Sequence, residues 1–248
     1  MSKYGNYLNI NSINYKKEIA MSKLPAHISQ QLPSFAEKAP QAGNENVTAD
    51  DLKIPMLKVL QALSPELQED NAKYIEGAKA GMIANTVTGE AVKSVKCMNL
   101  FYKKQFVLWL KREAGGGKVA EFDSKEAAQQ YMTDSGLDPS MHDIAETATH
   151  YLLLLNDDAS EIVGQAIVPM TGTGLGVSDN WNSQIQMTGA PQRFLSVWEL
   201  GTLKRANSKG SWYVFDPKFI GYQQNKEVFD KALEDYAAVS GKALPNAA

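Results

Sequence analysis

Between residues 74 and 215 short runs rich in aromatic and β-branched residues alternate with clusters of turn formers, without an internal sequence repeat. Tyr74-Ile75-Glu76-Gly77 and residues 81–86 precede the turn Thr88-Gly89-Glu90. Residues 151–155 and 161–168 flank Asn156-Asp157-Asp158-Ala159-Ser160, and residues 194–204 and 211–215 are joined by a loop over 205–210. Runs this short, punctuated this way, predict hairpins, because Asn, Asp, Ser and Gly supply the backbone angles and local hydrogen bonds of tight turns. Residues 93–111 read as one or two further strands, ended by Gly115-Gly116-Gly117. Hairpins in series pair antiparallel, which commits the chain to an antiparallel sheet.

Two segments break the period. Ser124 stands as N-cap before Lys125-Glu126-Ala127-Ala128 and Gly136 follows, so residues 124–133 predict a short connecting helix. Residues 225–239 place Val228, Phe229, Ala232, Leu233 and Tyr236 on one helical face, with Gly241 just beyond. Residues 52–63 fit a helix opened by Pro55 as well as a strand alternating through Met56, Lys58 and Leu60. The expected class is α+β: a curved antiparallel sheet or OB-like barrel with a connecting helix and a C-terminal helix.

The expected domain spans residues 51–240, followed by a short flexible tail over 241–248. Residues 1–50 read as a disordered leader, rich in Asn, Gln and Ala and interrupted by Pro25, Pro33 and Pro40. Within it, Lys17-Glu18-Ile19-Ala20 back-translates to a purine-rich stretch just upstream of Met21, so translation is expected to begin at Met21.

A chain of 248 residues with 44% hydrophobic content can build a proper core. Its formal charge of −3 gives no global attraction to nucleic acid or membrane, so any anionic partner needs a local patch. Cys97 is the single cysteine, which excludes an intramolecular disulfide and a CxxC metal or redox pair and fits a reducing compartment. No apolar run approaches the roughly 20 residues of a membrane helix, and no apolar signal core stands in residues 1–20. The expected location is inside a cell, away from membranes.

Catalytic chemistry finds little to stand on. His27, His142 and His150 lie far apart, and His150 opens an apolar strand as a core histidine would. Gly172-Thr173-Gly174-Leu175-Gly176 lacks the GK[ST] ending of a phosphate loop and reads as a flexible loop before Asn180-Trp181-Asn182. Asp157 and Asp158 read as solvated loop acids, and no GxSxG elbow presents a serine. The reading is therefore a protein without enzymatic activity, cofactor or metal.

One signal remains. Residues 93–118 hold seven basic residues and one acid, together with Phe101, Tyr102, Phe106 and Trp109. Strand alternation sets Phe101, Lys103, Gln105, Trp109 and Lys111 on one side, with Lys104 and Arg112 beside them. The hairpin over 194–215 repeats the combination: Lys204, Arg205 and Lys209 lie near Phe194, Trp198, Trp212 and Tyr213. Aromatic rings stack on bases while Lys and Arg track phosphates, which is what a single-strand groove requires. The two stretches are expected to lie side by side as one open trough, with Phe101, Trp109, Trp198, Trp212 and Tyr213 as platforms. The competing physics is that rings on strands usually pack in a core and lysines at hairpin ends protect edges.

The order of several pieces resembles a group of bacteriophage and prophage proteins: Ile54-Pro55-Met56 through Ser64-Pro65, Gly81-Met82-Ile83-Ala84-Asn85-Thr86-Val87-Thr88-Gly89-Glu90, Trp181-Asn182-Ser183 and Lys209-Gly210-Ser211-Trp212-Tyr213. The resemblance covers about residues 51–236. It implies single-stranded DNA binding during phage replication or recombination in the bacterial cytoplasm. The implied partners are single-stranded DNA, phage replication or recombination proteins and further copies of the chain; a virion or assembly role is the alternative. Many such binders end in an acidic tail, whereas this sequence ends Pro245-Asn246-Ala247-Ala248.

Overall fold

The backbone of a 16-residue strand, β4 (Val95–Leu110), organises the molecule. The structure, a computed structural model, describes residues 53–208 and 210–241. The expected leader and start at Met21, Lys209 and the tail past residue 241 lie outside the described residues. Lys53 onward forms one compact unit.

A small antiparallel sheet comes first, with β1 (Leu57–Val59), β2 (Ile83–Asn85) and β3 (Ala91–Val92) in that order. Between residues 53 and 63 the strand Leu57–Val59 forms and no helix does, while Tyr74 and Ile75 are irregular and Glu76-Gly77 form a turn. The main sheet adds β5 (Gly117–Phe122), β6 (His142–Leu155), β7 (Ile162–Met170), β8 (Ser196–Asn207) and β9 (Gly210–Tyr222), all antiparallel, in the order β7-β6-β4-β8-β9. Along one edge β4 pairs first with β8, through Val95 to Met98, and then with β5, through Phe106 to Leu110. Three helices complete the described residues: α1 (Lys125–Asp134), α2 (Leu175–Met187) and α3 (Lys226–Ser240). The fold is mixed α+β and the sheet does not close into a barrel.

α1 and α3 lie where capping predicts them. Ser124 Oγ accepts from the amide of Ala127 at 3.0 Å, and Gly241 ends α3 in the left-handed region at φ 64°. α2 replaces the loop expected over residues 172–182: a single turn of 3-10 helix at Gly172–Gly174 runs straight into it. Val177, Trp181 and Ile185, spaced four apart, form its buried face, a periodicity that the preceding glycines obscure.

Both faces of the sheet are covered along its middle, so the central strands carry apolar residues on both faces there. Cys97 and Leu152 join a core with Trp181, Ile185, Leu57 and Ile83, whereas Met98 and Leu153 join one with Phe194, Val228 and Ala232. Neighbouring residues of one strand point to opposite faces, so the run Leu152-Leu153-Leu154-Leu155 feeds both cores alternately. No helix among the described residues is long and apolar enough to cross a membrane.

The two outer strands, β7 and β9, are bridged by residues 55–61. Ile167 donates its amide to the carbonyl of Pro55 at 2.8 Å, and the side chain of Gln61 meets the backbone of Tyr213. Because Ile167 and Tyr213 direct their backbone nitrogens outward, so do Pro169, two residues along β7, and Pro217, four residues along β9. Neither proline costs a ladder bond, which is why β7 and β9 run through them.

Candidate nucleic-acid interface

Four lysines around the far end of β4 are paired with acids of neighbouring segments. Phe101, Lys103, Gln105 and Trp109 share a face, as alternation requires, opposite Tyr151, Thr149, Thr147 and Asp143 of β6. Lys103 reaches Asp123 at 3.9 Å, Lys104 reaches Glu146 at 2.5 Å, Lys111 reaches Asp143 at 3.7 Å and Lys118 reaches Glu121 at 2.7 Å. The hydrogen bond to Glu146 raises the pKa of Lys104, and that from Lys118 lowers the pKa of Glu121. Arg112 is exposed in the single turn Arg112–Ala114. Of the rings, Trp109 stays 40% exposed, whereas Phe101 is covered by Tyr151 and Tyr236, with centroids at 5.6 and 6.3 Å.

The second stretch lies elsewhere. Val95 faces Leu200, and from that pair β4 and the free half of β8 extend in opposite directions. At about 3.3 Å per residue, Lys103 and Arg205 are roughly 40 Å apart along the ladder. The two stretches therefore do not form one trough. Trp198 also departs from expectation: at 0% exposure, between Trp181 and Phe219, it is a core residue and not a stacking platform. Its strand pairs with the centre of the sheet, where helices cover both faces.

At the hairpin end the geometry is more open. The seam between β7 and β9, below β1, is a groove of about 840 Å³ whose walls include Leu57, Gln61, Leu63, Met170, Trp212 and Tyr213. Among the described residues no Asp or Glu lines it. Lys204 lies directly across the ladder from Tyr213 and Arg205 from Trp212, so each ring has a cation opposite it on its own face of the hairpin. Both cations are exposed, and neither belongs to an ion pair among the described residues. Thr173 and Gly174, at the start of α2, line the same groove. Segments named in the sequence resemblance converge here: Gln61 and Gly81 both meet Tyr213.

A second polar constellation is buried between β4, β6 and α2. His150 Nε2 lies 2.8 Å from Ser178 Oγ, and His150 Nδ1 lies 3.0 Å from Asn99 Nδ2, which by spacing alone resembles a Ser-His-Asn relay. Its polarity runs the wrong way. Arg193 Nε donates to Asn99 Oδ1 at 2.7 Å, which leaves Asn99 Nδ2 to donate to Nδ1 of the histidine. The imidazole proton then sits on Nε2 and is donated to Ser178, whereas nucleophile activation needs a lone pair facing the hydroxyl. Asn99, His150 and Ser178 are fully buried, and the His150 ring stacks on Trp181 at 4.6 Å. Burial, with a smaller contribution from Arg193, lowers the histidine pKa to about 3, so it stays neutral. Asp157 and Asp158 occupy the exposed β6–β7 loop, apart from it. No group of three metal-binding side chains occurs among the described residues.

A family model described as Pam3 phage gp34-like protein matches residues 26–245. No curated protein and no solved structure matches the chain.

Proposed function

We propose that this chain, which belongs to the Pam3 phage gp34-like protein family, binds single-stranded DNA during phage replication or recombination in the host cytoplasm, without catalysing a reaction. The observation that carries the reading is the seam groove, free of acids among the described residues and walled by Trp212 and Tyr213, with exposed Arg205 on the Trp212 face of the hairpin and exposed Lys204 on the Tyr213 face. Rings offer stacking surface to unpaired bases, and the cations follow the phosphates. The far end of β4 plays no part in this reading, because its lysines are held by Glu146, Asp143, Glu121 and Asp123.

The test is a fluorescence titration of the full chain with oligo-dT at several salt concentrations. The double substitution Lys204→Ala with Arg205→Ala is expected to weaken binding about tenfold or more. For two phosphate contacts the log-log salt slope should lie near −1.4, at about −0.7 each. The double substitution Lys104→Ala with Lys111→Ala should leave affinity within about twofold, since Glu146 and Asp143 beside these lysines offset their attraction for phosphate. Binding that is independent of salt and of both hairpin cations would remove the reading.

A virion or assembly role is favoured by a different observation. The far part of β9, an outer strand, leaves Phe219, Ile220 and Tyr222 exposed, and apolar edges of this kind seat further copies of a chain. Size-exclusion chromatography with and without oligonucleotide separates the two: assembly without DNA supports the second reading.

A further inference from the structure

Arg193 lies in the single 3-10 turn Arg193–Leu195 between α2 and β8, partly buried against β4. Its Nε donates to Asn99 Oδ1 at 2.7 Å, and one Nη donates to Asn182 Oδ1 at 2.6 Å and approaches His150 Nδ1 at 3.3 Å. The guanidinium carbon stands 5.6 Å from the centre of the Tyr102 ring. Every one of these partners is neutral. No carboxylate pairs with Arg193 among the described residues, and burial lowers its pKa to about 10. A guanidinium drawn out of water normally acquires a counter-ion, since its desolvation is otherwise uncompensated. Here the fold supplies three neutral braces and no anion.

The braces leave the donors at Nη1 over. Of the five N–H bonds in a guanidinium, Nε uses one and Nη2 directs two at Asn182 and His150. Tyr102 offers a second donor beside the guanidinium, its ring centre 5.6 Å from the guanidinium carbon, with Lys104 two residues along the same face of β4. Lys104 itself is engaged by Glu146, so the uncompensated charge belongs to Arg193.

We propose that the Nη1 edge of Arg193 and the hydroxyl of Tyr102 form a subsite for a phosphoryl oxyanion, held rigid from behind by Asn99 and Asn182. A braced guanidinium and a second donor suit an anion with several acceptor oxygens. The subsite lies toward the opposite end of α2 from the seam groove and does not depend on the hairpin reading. Its anion has two sources, an interior phosphate of a nucleic-acid strand or a free phosphate group, and the recognition chemistry is the same.

The experiment uses the full chain. Thermal unfolding is followed with inorganic phosphate and with chloride at matched ionic strength, for the native sequence, Arg193→Met and Tyr102→Phe. Phosphate should raise the midpoint beyond chloride in the native protein. Its apparent affinity should fall about tenfold in Arg193→Met and about threefold in Tyr102→Phe, which keeps the ring under the guanidinium and removes only the hydroxyl. Titration with dT8 and with thymidine 5′-monophosphate then separates the sources. Arg193-dependent binding of dT8 alone assigns a strand phosphate, and Arg193-dependent binding of the monophosphate assigns a free one. Equal midpoints in phosphate and chloride, or phosphate binding unchanged in Tyr102→Phe and Arg193→Met, overturns the subsite. Lys204→Ala with Arg205→Ala should leave inorganic phosphate binding unchanged, so this inference and the hairpin reading fail separately.

Discussion

The side-chain amide of Gln61 binds Tyr213 as a neighbouring strand would: Oε1 accepts from the Tyr213 amide at 2.9 Å and Nε2 donates to the Tyr213 carbonyl at 2.8 Å. β9 is the outer strand of the sheet, and these outward groups have no strand beside them. One side chain thereby stands in for a ladder step and fastens β1 across the seam. Residues 55–61 are thus held to β7 through Pro55 and to β9 through Gln61, and the groove runs along this bridging segment.

Gln61→Leu is expected to destabilise the protein by about 1–3 kcal/mol. It removes two hydrogen bonds and leaves a partly buried amide and carbonyl unpaired. Gln61→Glu keeps the acceptor and loses the donor, so its loss should be smaller. Urea unfolding of the two variants beside the native chain measures both, and equal midpoints for all three would show that Gln61 fastens nothing.

Gly81 reports on the same contact from the other side. Its φ is +88°, and an added Cβ would lie 2.6 Å from Cε1 of Tyr213. Gly81→Ala should cost about 2–4 kcal/mol, from backbone strain together with displacement of the ring. In a Tyr213→Ala background the ring clash disappears while the strain remains, so part of the loss should be recovered. The double-mutant cycle reads that part directly, and strict additivity would mean the ring and Gly81 do not touch.

How far the sequence disclosed this molecule depended on whether each signal was local. The caps at Ser124 and Gly241 act within one turn, so α1 and α3 were legible to within a residue or two. β4 was legible in its alternation, because Phe101, Lys103, Gln105 and Trp109 do share a face. The strands expected over 161–168 and 211–215 continue through Pro169 and Pro217, and only the sheet order shows that both prolines lie on outer strands. α2 was hidden behind Gly172, Gly174 and Gly176, its periodic residues being few. Clustered charge misled most. The acids that hold Lys104 and Lys111 come from β6, some 30 to 40 residues onward, and the buried place of Trp198 follows from β8 pairing with the centre of the sheet. The Arg193 cluster joins positions 99, 150, 182 and 193, and no spacing rule connects them.

Cys97 should be inert in the folded protein. It is fully buried, and burial raises its thiol pKa to about 12, so almost no thiolate exists at neutral pH. Reaction with a thiol reagent is expected only through opening of the sheet, at a rate that rises in urea in step with unfolding. Rapid labelling in native buffer, at the rate of a free thiol, would contradict the burial of β4 between its two cores.

His150 makes stability depend on pH, and the direction follows from its pKa. The folded protein holds the imidazole neutral down to about pH 3, below the ordinary value of 6.5 that the unfolded chain retains. Between those values the unfolded chain binds a proton that the folded chain does not. The contribution is therefore complete above pH 6.5 and is lost progressively as the pH falls toward 3. Each pH unit in that window removes up to about 1.4 kcal/mol, an upper limit of roughly 4–5 kcal/mol in all. Urea midpoints at pH 7.5, 6.0 and 5.0 should fall in that order, well before most carboxylates take up protons. His150→Gln removes the titrating group while preserving polar contact with Ser178, so its absolute stability should be lower but its profile from pH 7.5 to 5.0 nearly flat. A native-like slope in that variant would assign the pH dependence to other groups and leave His150 as packing alone.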